Sequence, residues 1–579
     1  MKKLPFNRRD FLRYCGLLSP GLLLPRSVRG AAPAAPLRMN WTPGPGTSTM
    51  HFEDITAKTG IDFTTNSCMT PNKNQPETMV GGVAMIDYDN DGYMDLFFVN
   101  GADLPSLTKN DPKYSNRLFH NNRDGTFTDV TDKAGLRGDG YDMGIAVGDY
   151  DNDGWPDIFV ASVTKNHLYK NNHDGTFIDV TDHAGVGMPM YKNAKMWSAA
   201  AAWVDYDNDG KLDLFVSNYC VWHVNGDPVC MGGGRVRSYC HPKFYEPLPC
   251  SLYRNNGDGT FTDVSEETGI AKVLCKGMGV GLNDYDGDGF IDIFVANDNM
   301  PNSLFHNLKG KSFEEVALDV GVAYAETGKA VSGMGAEFRD LDNDGLPDIW
   351  HTATELETFP LFRNIGNGMF VDYTGKSGLA RYTLEMSGWG NGVGDFDNDG
   401  LKDLIVGRGN VLDNISDFSE RTFGEPLSIF RNIGNMKFEE VMTEKDSTTQ
   451  VRLPYRGVVI GDLFNRGQLD VVTTALNNKA RILRNATSNS NNWIKLQLVG
   501  TKSNRMAIGT QLKLTTDDGS NQYDVISTSA GYQASRDPRA HFGLGPFTTA
   551  KQLEIKWPSG TRQVVKDLPA NKIHKIEEA

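Results

Sequence analysis

The chain has 579 residues, with 73 acidic against 58 basic side chains and a formal net charge of -15. Apolar residues make up 39%, the composition of a folded chain rather than a disordered one. The acidic balance excludes nucleic acid or an anionic membrane as the main partner, since both need a basic face. No apolar run reaches the about 18 residues of a transmembrane helix.

Residues 1–35 read as an export signal. A basic stretch ends in Asn7-Arg8-Arg9-Asp10-Phe11-Leu12, an apolar stretch runs from Cys15 to Leu24, and small residues follow from Ala31 to Ala35. Paired arginines ahead of Phe-Leu resemble the twin-arginine type, which predicts a periplasmic, secreted or cell-surface protein. Residues 36–49 read as a linker. Six cysteines remain beyond the signal: Cys68, Cys220, Cys230, Cys240, Cys250 and Cys275. An even number in an oxidising compartment suggests up to three disulfides, with about 15 connectivities open. Four of them punctuate a Gly-rich insertion, residues 219–250, at a spacing too wide for the tight pairs of a zinc site.

One phrase then recurs. It first reads Asp87-Tyr88-Asp89-Asn90-Asp91-Gly92-Tyr93-Met94-Asp95 and returns from Asp149, Asp205, Asp284, Asp340 and Asp395. A seventh copy, Asp462 to Asp470, carries Phe464 and Arg466 where the second and third aspartates should stand. A β-branched and aromatic run follows each copy, and then a second phrase such as Arg117 to Val130, whose Asn-Asn-x-Asp-Gly turn describes a hairpin. Each unit therefore predicts about four antiparallel strands and no helix. Seven such units predict an all-β fold, a seven-bladed β-propeller over residues 50–486. The lone phrase Phe52-Glu53-Asp54-Ile55-Thr56 precedes the first loop, and the last unit lacks that phrase, so the N-terminal strand is expected to complete the last blade. Small residues open the inner strands at Gly82, Gly144, Ala200, Gly279, Gly335, Gly390 and Gly457, where strands would crowd the axis.

Oxygen ligands at positions 1, 3, 5 and 9 with glycine at 6 describe a calcium loop, here followed by a strand rather than the helix of an EF-hand. The expected ligands are Asp87, Asp89, Asp91 and Asp95; Asp149, Asp151, Asp153 and Asp157; Asp205, Asp207, Asp209 and Asp213; Asp284, Asp286, Asp288 and Asp292; Asp340, Asp342, Asp344 and Asp348; and Asp395, Asp397, Asp399 and Asp403. Four carboxylates in one tight turn repel one another without a cation. About six calcium ions, in a structural role, are expected. The Asp462 copy is expected to bind none.

These repeats resemble the FG-GAP or VCBS-type propeller repeat. The tail, residues 487–579, carries Trp493 to Leu498, Asn504 to Gly509, Gly531-Tyr532, His541 to Gly545 and Trp557 to Gly560, and resembles the ASPIC/UnbV domain. The combination resembles a bacterial member of the cartilage acidic protein 1-like family. The resemblance implies a small C-terminal β-sandwich-like domain and a role in adhesion or partner binding, and it transfers no catalytic residue.

Tyr141, Met143, Trp197, Lys276, Met278, Met334, Trp389, Tyr455 and Arg456 open the inner strands at the end of the ring away from the loops. They read either as a ligand mouth or as packing that plugs the channel. The favoured function is an exported calcium-binding scaffold for an extracytoplasmic protein or glycan. The alternative is a calcium-dependent lyase- or dehydratase-type enzyme acting on polysaccharide or sugar derivatives, for which Glu337 and Arg339 are the first residues to inspect.

Overall fold

The computed structural model describes residues 50–441 and 448–579. The expected export signal with Cys15 and the expected linker up to residue 49 lie outside the described residues. Among the described residues no helix is long and apolar enough to cross a membrane.

Each repeat folds as a four-stranded antiparallel sheet. In blade 2 the strands are Asp142–Gly148, Asp157–Ser162, His167–Asn171 and Phe177–Asp179, paired in chain order from the axis outward. Blade 1 starts at Val83–Ile86, blade 3 at Ser198–Val204, blade 4 at Gly277–Asn283, blade 5 at Ala336–Arg339, blade 6 at Gly388–Gly394 and blade 7 at Tyr455–Gly461. Blade 7 takes its outer strand from the other end of the chain: Phe52–Asp54 pairs antiparallel with Asn478–Asn485, Phe52 opposite Asn485. An edge left open by the last repeat is thereby covered.

The small residues at the axis have a steric cause. A Cβ on Gly82 would lie 2.3 Å from the Met143 carbonyl oxygen, on Gly279 2.3 Å from that of Met334, and on Gly390 2.5 Å from that of Arg456. A Cβ on Gly457 would stand 2.0 Å from the carbonyl oxygen of Gly81, so the last inner strand abuts the first. Side chains at these positions would push neighbouring blades apart.

The expectation of no helix needs one correction. The Asp-Val-Thr phrase after the outer strand closes into a single helical turn, as at Thr131–Ala134. The Asp129 carboxylate accepts from the Thr131 backbone N–H at 3.0 Å and Gly135 ends the turn in the left-handed region.

The tail is a sandwich of two sheets. One holds Ala540–Gly545, Asn492–Val499 and Lys572–Glu577; the other holds Asn521–Val525, Gln511–Thr516, Thr549–Lys556 and Arg562–Pro569. Alternate residues of both, among them Leu496, Leu514, Phe542, Leu553 and Trp557, form a core separate from those of the blades.

Candidate metal centres

The acidic loops share one hydrogen-bond frame. In the first, the Asp87 carboxylate accepts the backbone N–H groups of Asp91 (2.9 Å) and Gly92 (3.0 Å), and Asp95 accepts those of Tyr88 (3.3 Å) and Asn121 (2.7 Å). Positions 1 and 9 are thereby fixed by backbone donors. Position 3 is not. The Oδ1 atoms of Asp89, Asp151, Asp207, Asp342 and Asp397 are buried without a hydrogen-bond partner; the exception, Asp286, accepts from the Asp288 N–H at 3.1 Å. A buried carboxylate oxygen left unpaired is costly, and five of them recur at one repeat position, where a cation could satisfy them.

The electrostatics agree. Burial, reinforced by the neighbouring aspartates, pushes Asp149 and Asp205 up to about 7, and Asp87 up to about 6. Burial lifts Asp157, Asp213 and Asp348 well above the carboxylate range. Carboxyl groups of the loops lie within 4.8 Å of one another in sets that can hold a metal ion, among them Asp87, Asp89 and Asp95, and Asp149, Asp151 and Asp157. Short hard oxygens in this density suit calcium. The donor set therefore fits a cation.

The seventh loop keeps the frame and changes the charge. Asp462 accepts from the N–H groups of Arg466 (2.8 Å) and Gly467 (2.7 Å), as Asp87 does in the first loop. The Arg466 guanidinium lies 2.8 Å from Asp470, and the buried Lys495 ammonium of the tail lies 3.6 Å from Asp462 and 2.8 Å from Asp537. Other loops also meet protein cations, as Asp284 meets Lys556 at 3.6 Å, but only here among the seven does a cation, Arg466, stand at loop position 5 in place of an aspartate.

The tail sits on this loop face. Arg505 donates its N–H to Asn152 at 2.8 Å, Gln511 donates to Asp284 at 2.8 Å, and Arg539 donates to the Gly92 carbonyl at 3.1 Å. A cleft of about 560 Å3 remains between the tail and the first two loops, where Asp87, Asp91, Asp149 and Asp153 face Arg505, Arg539 and Lys575. Between the tail strands Asn521–Val525 and Ala540–Gly545, the chain dips to the axis. Ala534 and Ser535 pair parallel with Val83 and Ala84, and the Tyr532 hydroxyl donates to the Met79 carbonyl at 2.8 Å while its ring meets Trp389 edge to face at 5.3 Å. Glu337 and Arg339 belong to this interface: Arg339 bonds Glu337 at 3.2 Å and pairs with Asp524 of the tail. Both are buried in this ion-paired contact and do not form an open acid-base set.

The expected mouth is a plug. Tyr141, Met143, Trp197, Met278, Met334, Trp389 and Tyr532 form one buried cluster, and Arg456 is fully buried over Trp389 at 3.7 Å. The cysteine-rich insertion roofs the cluster through Trp222, Cys240 and Tyr245, and Lys276 spends its ammonium on the Pro242 carbonyl at 2.6 Å. A cavity of about 310 Å3 survives beside the plug; Met278, Met334 and Trp389 border it together with Tyr219, Tyr239, Asp298, Glu355 and Glu357. Burial pushes Asp298 up to about 6 against the Tyr219 hydroxyl, which donates to it at 2.7 Å. Of the six cysteines, Cys230 and Cys240 form a disulfide, whereas Cys68, Cys220, Cys250 and Cys275 are free thiols.

Sequence reasoning assigned no role to two asparagines that recur with the loops. Asn90 donates to the Gly154 carbonyl of the next loop at 2.9 Å, Asn152 to Gly210 at 2.9 Å, and Asn465 to Gly92 at 2.9 Å. Asn171, Asn255 and Asn307 each reach back to the preceding loop, donating to the carbonyls of Tyr88, Tyr150 and Tyr206 at 2.8, 2.7 and 2.8 Å. Their exact recurrence in every hairpin phrase was the available signal.

A β-propeller with acidic loops on one face and a β-sandwich seated on that face is the class these observations define. The FG-GAP-like repeat family matches residues 87–160, 149–216 and 284–351, and the ASPIC and UnbV family matches residues 500–579. Cartilage acidic protein 1 of Mus musculus is 25% identical over 542 residues, 89% of this chain and 76% of that protein; the Homo sapiens protein is 24% identical over 89% of this chain and 74% of its own length. The chain is an FG-GAP-like repeat protein with an ASPIC/UnbV domain, homologous to cartilage acidic protein 1 over most of its length. Among solved structures, rhamnogalacturonan lyase YesW is 12% identical, with a TM-score of 0.36 over 76% of each chain, a likeness too weak to bear on the chemistry.

Proposed function

We propose that this chain is an exported calcium-binding propeller that serves as an extracytoplasmic binding scaffold for a protein or glycan. The observation that carries the calcium assignment is the set of five buried, unpartnered Oδ1 atoms at one repeat position. With metal bound, Asp87, Asp89, Asp91 and Asp95 and their five counterparts would hold it, and the ion would supply charge neutralisation rather than chemistry. Because the tail rests on the same loops, the metal would also set the surface on which the tail docks.

The binding role is assigned to the cavity beside the plug. Its aromatic and thioether walls and its three carboxylates suit hydroxyl-rich or amine-bearing groups better than anions. The test is a screen of glycans and secreted proteins against calcium-loaded and metal-stripped full chain, with turnover of the same glycans read in parallel. Calcium-dependent binding lost in Trp389→Ala or Asp298→Asn supports the reading. Binding unchanged in both variants overturns the cavity as its place, and glycan turnover lost in Asp298→Asn favours the enzymatic alternative.

A further inference from the structure

The six acidic loops are not equivalent, and the difference lies at one position of the hairpin strand that crosses behind each loop. In blade 6 that residue is Arg431, 2.9 Å from Asp397 and 2.8 Å from Asp399; in blade 5 it is Arg363, 2.6 Å from Asp342; in blade 2 it is Lys170, paired with Asp151. Guanidinium and ammonium groups have no lone pair to give, so these residues can only neutralise the loop from outside.

Blades 1 and 4 carry histidine there. The Nδ1 atom of His120 lies 3.2 Å from Asp95 Oδ1 and 3.4 Å from Asp89 Oδ2, buried and without a hydrogen-bond partner. The Nδ1 atom of His306 is hydrogen-bonded to Asp292 at 3.1 Å and lies 3.8 Å from Asp286. Each imidazole is held edge to face by the tyrosine at loop position 2, Tyr88 at 6.0 Å and Tyr285 at 5.6 Å, which turns the same ring nitrogen toward the carboxylates in both blades. Ligand atoms of Asp89, Asp91 and His120, and of Asp286, Asp292 and His306, lie within 4.8 Å of one another. Donors bound at about 2.0–2.2 Å to one small ion stand roughly 3.0–3.5 Å apart, the separation of both aspartates from the His120 nitrogen and of Asp292 from that of His306, with Asp286 farther at 3.8 Å.

We propose that the loops of blades 1 and 4 are mixed imidazole-carboxylate centres that select a transition-metal dication such as zinc, while the loops of blades 2, 3, 5 and 6 take calcium. Imidazole is a good donor to zinc and cobalt and a poor one to calcium, whereas carboxylate and carbonyl oxygens serve calcium. The proposal rests on the reading of these loops as metal sites and adds the class of metal that two of them prefer.

Cobalt(II) tests it, as a zinc substitute with visible absorption. Metal-stripped full chain is titrated with cobalt in excess calcium, and bound metals are counted after desalting. About two cobalt ions per chain, with visible d–d bands, are expected to persist beside about four calcium ions. His120→Arg and His306→Arg copy the residue type of blades 5 and 6 and should fold as calcium loops do. Each should abolish one cobalt equivalent, weakening its apparent binding by more than the about 10–100-fold that losing an outer partner costs, with calcium uptake retained. Calcium uptake with full displacement of cobalt, or cobalt spectra unchanged in the two variants, overturns this inference and leaves the calcium reading standing. Failure to take up either metal, with an unchanged melting point, overturns both.

Discussion

The sixth and seventh loops are neighbours with the same backbone and opposite solutions to the same charge. In the sixth, Asp395 accepts the N–H groups of Asp399 and Gly400 at 3.1 and 2.7 Å, and although Arg431 pairs with Asp397 and Asp399 from outside, Asp397 keeps a buried Oδ1 atom without a partner. In the seventh, Asp462 makes the same two bonds, but Arg466 and Lys495 bring the positive charge. The turn itself is therefore built by backbone donors, and only the leftover carboxylate charge calls for a cation. A metal supplies it in one reading and the protein supplies it in the other, which divides the ring into parts that should respond to a chelator and a part that should not.

Metal removal gives the largest effect. At 100 times its dissociation constant a bound ion adds about 2.7 kcal/mol per independent loop, so stripping several loops should lower the calorimetric melting point by about 10 °C or more. An unchanged midpoint after verified removal would erase the distinction between the loops. The second effect belongs to the seventh loop alone. Lys495→Met strips the buried ammonium from between Asp462 and Asp537, 0% and 3% exposed, leaving Asp537 to Arg539 and Asp462 with no cation of the tail paired with its carboxylate. Breaking a buried pair in this way costs about 3–5 kcal/mol. Urea unfolding should show the same loss in loaded and stripped protein; a loss that appears only in one of them would show that this loop, too, depends on metal.

Much of this was legible along the chain because the Asp-x-Asp-Asn-Asp-Gly phrase repeats with its hairpin, and period and phase alone place Phe52–Asp54 on the last blade. The plug was not legible. Aromatic and thioether residues such as Trp197 and Met278 open an inner strand equally well as a wet rim or as packing, and their burial is decided by Tyr532 and by the insertion around Tyr245. Both come from distant sequence. Glu337 and Arg339 misled for the same reason, because a charged strand residue takes its role from a partner, here Asp524, that lies far along the chain. The asparagine ladders repeat visibly but acquire a function only once the carbonyl of the adjoining blade stands opposite them.

Protein-supplied charge should respond to pH where metal-supplied charge responds to chelator. His167 of blade 2 sits between Asp139 at 2.9 Å and Asp179 at 2.8 Å. Burial alone would lower its pKa, but the two carboxylates override it and raise it to about 10. A folded pKa above the unfolded value of about 6.5 stabilises fully below that pH, and the contribution is lost as pH rises toward 10. Asp139 is largely exposed, so the net worth is about 1 kcal/mol. His167→Asn should cost that much at pH 6 and nothing near pH 10.5, in loaded and stripped protein alike; a cost that does not change with pH would make His167 a packing residue.

The smallest effect is a gain. Asparagine at loop position 4 ties each loop to the next, as Asn343 ties blade 5 to the Gly400 carbonyl at 3.0 Å, yet blade 4 carries Gly287 there. Gly287 lies in the left-handed region at φ 80° with open space around its missing Cβ, and Asn208 and Asn343 adopt that region at 57° and 60°. Asparagine tolerates this conformation and restricts the unfolded chain more than glycine does. Gly287→Asn should therefore add the absent link to the Gly345 carbonyl and stabilise by about 0.5–1 kcal/mol in urea unfolding. The gain should appear with calcium bound, when both loops are held in register, and shrink in the stripped protein. A gain of equal size in both states would mean that the ladder, rather than the ion, holds neighbouring loops together.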